Sequence, residues 1–187
     1  MYQVLAVSGY KPHELGIFNE KHAYLEYLKM ALNKKLRQLI EEYDIHWIIT
    51  SGQPGVELWA AEGVIEFKKE FPNLKLATLA PFFEQQERWG EPTKQLYEQV
   101  WQQSDYKDYI SKRKYENPAQ LQQKNQFLID KSDAFLVLYD ELTEGTPKYY
   151  ISCAKKKQEA MDYPVIYLTP DEIEDVVRET QENENWN

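Results

Sequence analysis

The chain has 187 residues, a length that fits one domain. Hydrophobic residues make up 42% of it and charged residues 28%, a balance typical of globular proteins. The formal net charge of −9 lacks the excess of Lys and Arg that a DNA-binding surface needs, so we expect no nucleic acid partner. The single Cys153 excludes an intramolecular disulfide, and an oxidising compartment is therefore not required.

Membrane and metal binding are not indicated either. The first apolar stretch is too short and is broken too early for a signal peptide, and no window approaches the ~20 apolar residues of a membrane span. We therefore expect a cytoplasmic protein with no membrane partner. His13, His22 and His46 lack carboxylates at the spacing of metal ligands, so no metal site is expected.

Short apolar runs rich in β-branched residues predict the strands, at residues 4–8, 47–50, 74–79, 135–139 and 165–168, with one extra short strand near Tyr109. Runs that are apolar throughout are typical of strands buried on both faces, as in parallel sheets. Stretches with helical periodicity alternate with them, at residues 20–43, 54–71, 93–103, 118–131, 147–161 and 171–180. Pro54 suits the first position of the second helix.

This alternation predicts βαβ units with right-handed crossovers. The expected fold is an α/β, Rossmann-like three-layer sandwich with a mostly parallel sheet of five or six strands. Residues 1–180 would form one domain, and the polar residues 181–187 a flexible tail.

Small and polar residues follow the strands at the edge where such folds bind ligands. The first strand leads into Ser8, Gly9 and Tyr10, and the second leads into residues 50–57. Glycines before a helix would let an anion approach the free N–H groups of its first turn. A plain strand-to-helix turn explains the same spacing. Tyr10 could stack on a base or pack on the first helix, and Glu57 could accept from ribose or only complement the helix dipole.

The remaining candidates lie later in the chain. Asp140 and Glu144 follow the strand at 135–139 and could supply a carboxylate to the same edge. Cys153 lies within a predicted helix, as a buried and inert thiol would. The basic run at residues 112–114 is typical of a solvated loop, with an anion contact left open.

Several long blocks resemble the YpsA family of bacterial proteins, namely VLAVSGYKPHELGIF, TSGQPGVELWAAE, PFFEQQERW, and QKNQFLIDKSDAFLVLYD with EGTPKY. The resemblance covers about residues 1 to 170. It implies a Rossmann-like fold of the SLOG superfamily, which includes the LOG phosphoribohydrolases and the DNA-processing protein DprA. It also implies binding or processing of nucleotide derivatives, and a role in cell division or stress response.

The resemblance assigns ligand binding to the turn after the second strand, at Ser51, Gly52, Gln53, Gly55 and Glu57. The Arg-Lys pair of the LOG enzymes is matched by Lys124 and Asn125, so the arginine is replaced. Of their PGGxGTxxE motif only Gly145 and Thr146 remain, and the catalytic glutamate has no counterpart. Hydrolysis by the LOG mechanism is therefore doubtful.

Three functions stay open. The first is a regulator that binds a nucleotide or ADP-ribose-like molecule and signals through a protein partner. The second is a hydrolase that cleaves an N-glycosidic bond with Glu57, Asp140 or Glu144. The third is an interaction module with a vestigial pocket. Self-association is left open. The predicted ligand-binding residues are Ser8, Gly9, Tyr10, Ser51, Gly52, Gln53, Gly55, Glu57, Lys124, Asn125, Gly145 and Thr146.

Overall fold

The structure is a computed structural model that describes residues 3–186. Its six strands are β1 (Val4–Gly9), β2 (Trp47–Thr50), β3 (Lys75–Ala80), β4 (Tyr106–Tyr109), β5 (Ala134–Leu138) and β6 (Val165–Leu168). Its six α-helices are α1 (Ala23–Tyr43), α2 (Val56–Phe67), α3 (Glu91–Gln103), α4 (Ala119–Asp130), α5 (Pro147–Gln158) and α6 (Pro170–Asn185). A short 3-10 helix, Pro12–Leu15, follows β1.

All six strands form one parallel sheet in the order β4-β3-β2-β1-β5-β6. The expected α/β, Rossmann-like fold is confirmed, including the extra strand near Tyr109. The chain builds outward from β1 to β4 and then returns to the other side of β1. The strand order therefore reverses between β1 and β5, and in such sheets the crevice outside that point is where ligands bind.

Helices cover the sheet in two groups. In the first group α6 contacts α1, α1 contacts α2, and α2 contacts α3. Helix α2 lies on β1, β2 and β3. Helices α4 and α5 pack together as the second group. Every residue of β5 is buried, as a strand inside a three-layer sandwich must be. The inner face of α1 places leucines at steps of three and four against this core, where each contributes ~1.5–3 kcal/mol on burial.

Helix termini are where the structure departs from the sequence-based expectation. Helix α2 begins at Val56, not at Pro54, because Gly55 at φ 91° cannot continue a helical turn. Helix α1 begins at Ala23, where the side chain of His22 accepts a hydrogen bond from the N–H of Tyr24. Helix α6 continues to Asn185, so residues 181–185 of the expected tail are helical. Asn187 lies outside the described residues. No helix between residues 3 and 186 is long and apolar enough to cross a membrane.

Helices α1 and α2 cross closely at Gly63. A Cβ added there would lie 2.1 Å from Oδ1 of Asn33, an atom that is buried without a hydrogen-bond partner. The absence of a side chain at Gly63 is therefore what lets Asn33 fit between the two helices.

We expect Gly63→Ala to lower the free energy of unfolding by about 1–3 kcal/mol, because the methyl group overpacks this crossing. Adding Asn33→Ala should restore stability, since it removes both the clash and the unpaired oxygen. Urea unfolding of the two single variants and the double variant measures this coupling, which should be about 1 kcal/mol or more. Additive effects would contradict the close contact.

Candidate functional site

A pocket of about 250 Å³ lies at the carboxyl ends of β1 and β5, between α4 and α5. We call it the switch-point pocket. The end of β1, the turn before α2, and the facing sides of α4 and α5 form its wall. Its lining residues are Ser8, Gly9, Lys11, Gln53, Pro118, Leu121, Gln122, Lys124, Asn125, Thr146, Pro147, Tyr149 and Tyr150.

The charged residues that line this pocket are Lys11 and Lys124. No Asp or Glu of the described chain lines it. Neither lysine forms an ion pair among residues 3–186. The pocket is therefore locally cationic in a protein whose net charge is −9. Such an environment suits an anionic group of a ligand.

Glu57 lies beneath the pocket and not in its wall. Its side chain is 2% exposed, and its carboxylate accepts hydrogen bonds from the N–H and the hydroxyl of Ser51, at 2.7 and 2.6 Å. The hydroxyls of Ser8 and Tyr150 donate to its other oxygen, at 2.8 and 3.2 Å. The carboxylate thus joins β1, β2, α2 and α5. The structure uses Glu57 to position its neighbours, which leaves it no oxygen for a ribose hydroxyl.

Lys124 is the buried cation of the site. Only 3% of the residue is exposed, and its Nζ donates to the hydroxyl of Tyr150 at 3.1 Å. Burial is the main reason that the pKa of Lys124 is lowered to about 8. The nearby charge of Glu57 opposes this shift, and the charge of Lys11 adds to it. Burial raises the pKa of Tyr150 well above its ordinary value, and the charge of Glu57 adds to this, so the phenol stays protonated.

Asn125 is the second buried polar group that α4 contributes. It is 7% exposed, and its Oδ1 has no hydrogen-bond partner. Buried carboxamides in native proteins are nearly always paired, so an unpaired one in the wall of a pocket indicates a missing partner. Lys124 and Asn125 were predicted as ligand residues through the family resemblance, and both line the pocket.

Tyr10 does not line the pocket. Its ring is 3% exposed and packs on Tyr139, with ring centroids 5.5 Å apart. Its hydroxyl accepts from the N–H of Asp140 at 2.8 Å and donates to the carbonyl of Thr143 at 2.5 Å. The expectation that Tyr10 stacks on a base does not match this placement, because both ring and hydroxyl are engaged within the protein.

The glycines of the turn before α2 are approached by the chain itself. A Cβ on Gly55 would lie 2.4 Å from the carbonyl oxygen of Tyr10, and one on Gly52 would lie 2.8 Å from the ring of Tyr97. The N–H of Val56, at the start of α2, donates to the same carbonyl of Tyr10. One N–H at the start of α2 is therefore bonded to the loop after β1 and is not free for a ligand. Of the residues in the turn before α2, only Gln53 lines the pocket.

The start of α5 is occupied in a similar way. Glu14 accepts from the N–H and the hydroxyl of Thr146, both at 2.7 Å, and from the N–H of Lys11 at 2.9 Å. Burial raises the pKa of Glu14, but these hydrogen bonds outweigh it and hold the pKa below its ordinary value. A Cβ on Gly145 would lie 2.3 Å from Glu14. Gly145 thus makes room for an internal carboxylate, while Thr146 also lines the pocket.

The other candidates lie elsewhere. Asp140 and Glu144 do not line the pocket, and Glu144 pairs with Lys148 on the surface. The basic run is neutralised by neighbours, because Lys112, Arg113 and Lys114 each form an ion pair with an acidic residue. Cys153 is a free, half-buried thiol whose pKa is raised by burial. Within residues 3–186 no group of His, Cys, Asp or Glu could hold a metal ion.

Seven lining residues were not among the predicted ligand-binding residues, and Lys11, Tyr149 and Tyr150 matter most among them. Lys11 directly follows the predicted Ser8 to Tyr10 segment, and this position was the available signal. Tyr149 and Tyr150 follow Gly145 and Thr146, the remnant of the PGGxGTxxE motif, and no pattern in the sequence marks them as ligand residues. Nothing in the sequence shows that Tyr150 reaches Glu57, 93 residues away.

The comparisons with known proteins identify the family. The YpsA family model, described as the YspA SLOG family, matches residues 5–173. The chain belongs to this family. UPF0398 proteins from Bacillus cereus strain B4264 and Bacillus thuringiensis strain Al Hakam are both 48% identical to it over 185 residues, covering 99% of this chain and 98% of theirs. The resemblance stated from the sequence blocks is confirmed.

A solved structure shares the fold. It is DNA processing protein A from Helicobacter pylori, described for its single-stranded DNA binding mode. The match has a TM-score of 0.56 at 17% identity, and it covers 88% of this chain. This chain spans 64% of the length of that protein. At this identity the match shows the fold alone.

The exclusion of a nucleic acid partner was wrong. It rested on net charge, yet DNA processing protein A has the same fold and binds single-stranded DNA. Net charge averages over a whole surface, whereas binding depends on the local field. The switch-point pocket, with two lysines and no lining carboxylate, shows how far the two can differ.

We expect Gly55→Ala to lower the free energy of unfolding by about 2 kcal/mol or more, because φ 91° is strained for alanine and the Cβ meets a backbone oxygen. Gly90→Ala is the matched control. Its Cβ would meet no atom within 4 Å, so it should change stability by less than about 1 kcal/mol. Denaturant melts measure both. Equal effects would contradict the close approach of Tyr10.

Glu57→Ala should be destabilising by about 3 kcal/mol or more, because four donor groups around a buried carboxylate lose their acceptor. Glu57→Gln, which keeps one oxygen, should cost about 1–2 kcal/mol. Glu62→Ala on the same helix removes a surface ion pair with Lys29 and should cost under about 1 kcal/mol. A Glu57→Ala variant as stable as Glu62→Ala would refute the structural role.

Proposed function

We propose that this chain is a regulatory protein that binds a phosphorylated nucleotide derivative in the switch-point pocket. One observation carries the proposal. Lys11 and Lys124 line a pocket at the reversal of strand order, and no described carboxylate lines it with them. A buried lysine with no acidic partner is costly, and a phosphate would supply the missing negative charge.

The dimensions favour a sugar phosphate as the enclosed part. Pockets for whole drug-sized ligands measure about 300–1,000 Å³, so about 250 Å³ is at the small end. The unpaired carboxamide of Asn125 could pair with a sugar hydroxyl. Pro118, Leu121 and the half-exposed Tyr149 offer an apolar rim on which a base could lie.

The residues that line the switch-point pocket favour binding of a nucleotide derivative over its hydrolysis. Cleavage of an N-glycosidic bond calls for a positioned acid or base within hydrogen-bond reach of the reacting atoms. Glu57 is engaged by protein donors, and Asp140 and Glu144 lie outside the lining. The unpaired Lys11 and Asn125 in turn favour a working pocket over a vestigial one. The role in cell division or stress response stays a prediction from the family resemblance.

The test is a thermal-shift and calorimetric titration with inorganic phosphate, ribose 5-phosphate, AMP, ADP-ribose, NAD and a short single-stranded oligonucleotide. A probe at one hundred times its Kd should stabilise the protein by ~2.7 kcal/mol, a shift of a few degrees in Tm. Lys11→Glu should abolish the shift. Lys107→Glu makes the same charge change on the exposed edge strand β4, three strands from β1, and should leave the shift intact.

The outcomes separate the alternatives. No shift with any of these probes would contradict the proposal. A shift with the oligonucleotide alone would replace the small molecule with a nucleic acid strand. Release of free base from AMP, ADP-ribose or NAD would show that the site is hydrolytic and that a carboxylate reaches it.

A further inference from the structure

Lys124 is a deeply buried amine, and simple charge pairing does not explain its position. A lysine that only binds phosphate can lie at the surface, as Lys11 does on the loop after β1. Lys124 is instead 3% exposed, with its Nζ 4.4 Å from the ring centroid of Tyr150. Among the described residues no carboxylate accepts a hydrogen bond from Lys124, whose partner is the phenol of Tyr150.

Two features keep a share of this amine uncharged. Burial and the cation of Lys11 outweigh the opposing charge of Glu57, so the pKa of Lys124 is lowered to about 8, against an ordinary lysine value of about 10.4. A desolvated lysine beside a second cation is an arrangement that activates amines as nucleophiles.

The hydrogen bonds leave the lone pair of the amine free. The hydroxyl of Tyr150 donates to Glu57 at 3.2 Å, so its oxygen faces Lys124 as an acceptor, at 3.1 Å. A neutral Nζ therefore donates one hydrogen to Tyr150, and no described group donates a hydrogen bond to its lone pair. The chain Lys124–Tyr150–Glu57 is also a path along which a proton can move.

We propose that Lys124 condenses with the carbonyl carbon of a phosphorylated aldehyde, the open-chain form of a sugar phosphate, in the switch-point pocket. This inference rests on the proposed function and narrows its ligand. Nζ attacks the carbonyl carbon and forms a C–N bond, and a proton passes from Nζ to the former carbonyl oxygen. That hydroxyl then takes up the second hydrogen of Nζ and leaves as water as the C–O bond breaks, and a C=N imine remains. Nothing is oxidised or reduced. Lys11 holds the phosphate.

Lys157 provides a matched control within the same chain. Burial lowers its pKa as well. Its Nζ, however, donates to the backbone carbonyls of Ile129 and Ser132, at 2.8 and 2.7 Å. It does not line the switch-point pocket. Lys157 therefore shares the depressed pKa without the free lone pair or the neighbouring phosphate site.

The experiment incubates the wild-type protein with ribose 5-phosphate and cyanoborohydride, which reduces an imine to a stable amine. Peptide mapping by mass spectrometry then measures the rate of modification at each lysine. Lys124 should react about tenfold faster than Lys157 or any exposed lysine, with a rate that rises between about pH 7 and about pH 9. Ribose, which lacks the phosphate, should modify Lys124 more slowly than ribose 5-phosphate does. Lys11→Gln should remove the difference in rate between these two sugars.

Modification spread evenly over the exposed lysines, with Lys124 no faster, would overturn the inference. The thermal shift with AMP, which has no free aldehyde, separates this failure from that of the proposed function. A shift with AMP and no adduct on Lys124 refutes the imine and leaves the binding site standing. No shift and no adduct refutes both. Lys124→Arg keeps a positive charge but removes the amine. Total adduct that formed in this variant as fast as in the wild type would have to lie on other lysines, and this result would also count against the inference.

Discussion

The carboxylate of Glu57 holds the ligand edge of this protein together. It is a buried charge that is tolerated because Ser8, Ser51 and Tyr150 supply it with four hydrogen bonds. Those donors come from β1, from the turn after β2, and from α5. The distance between the sheet and α5 is thereby fixed at the point where the strand order reverses. Tyr150, held in this way, in turn orients the amine of Lys124.

The protein uses internal groups where related folds would present free N–H groups to an anion. The carbonyl of Tyr10 accepts from the start of α2, and the carboxylate of Glu14 accepts from the start of α5. The positive ends of both helix dipoles are therefore already partnered. What remains for a ligand is side-chain charge, from Lys11 and Lys124, together with the unpaired carboxamide of Asn125. Recognition at this site thus depends on α4 and on the loop after β1.

The sequence predicted the architecture well and the site in part. Apolar runs separated by amphipathic stretches carry the strand and helix pattern, so five strands were placed within one residue of their ends. All six helices were found as well, but their ends differ from the predicted ones by up to five residues. The site depends on which way side chains point. From the sequence, Glu57 is an acidic residue in the first turn of a helix, which is a common and exposed position. Only the packed structure shows that its side chain turns inward. The sequence predicts that Gly55 lets a phosphate approach the backbone, yet the atom that lies close to it is the backbone carbonyl oxygen of Tyr10.

The hydrogen bonds that join the loop after β1 to the loop after β5 have a consequence for how the protein is made. Tyr10 contacts Thr143, and Glu14 contacts Thr146, across 133 and 132 residues of intervening chain. Contacts of such sequence separation close late, because the loop entropy is lost before they form. During synthesis, the first four strands can assemble while the ligand edge is still open. The pocket is thus completed only after β5 pairs with β1 and α5 packs beside it, so binding competence arises late in the assembly of the sheet.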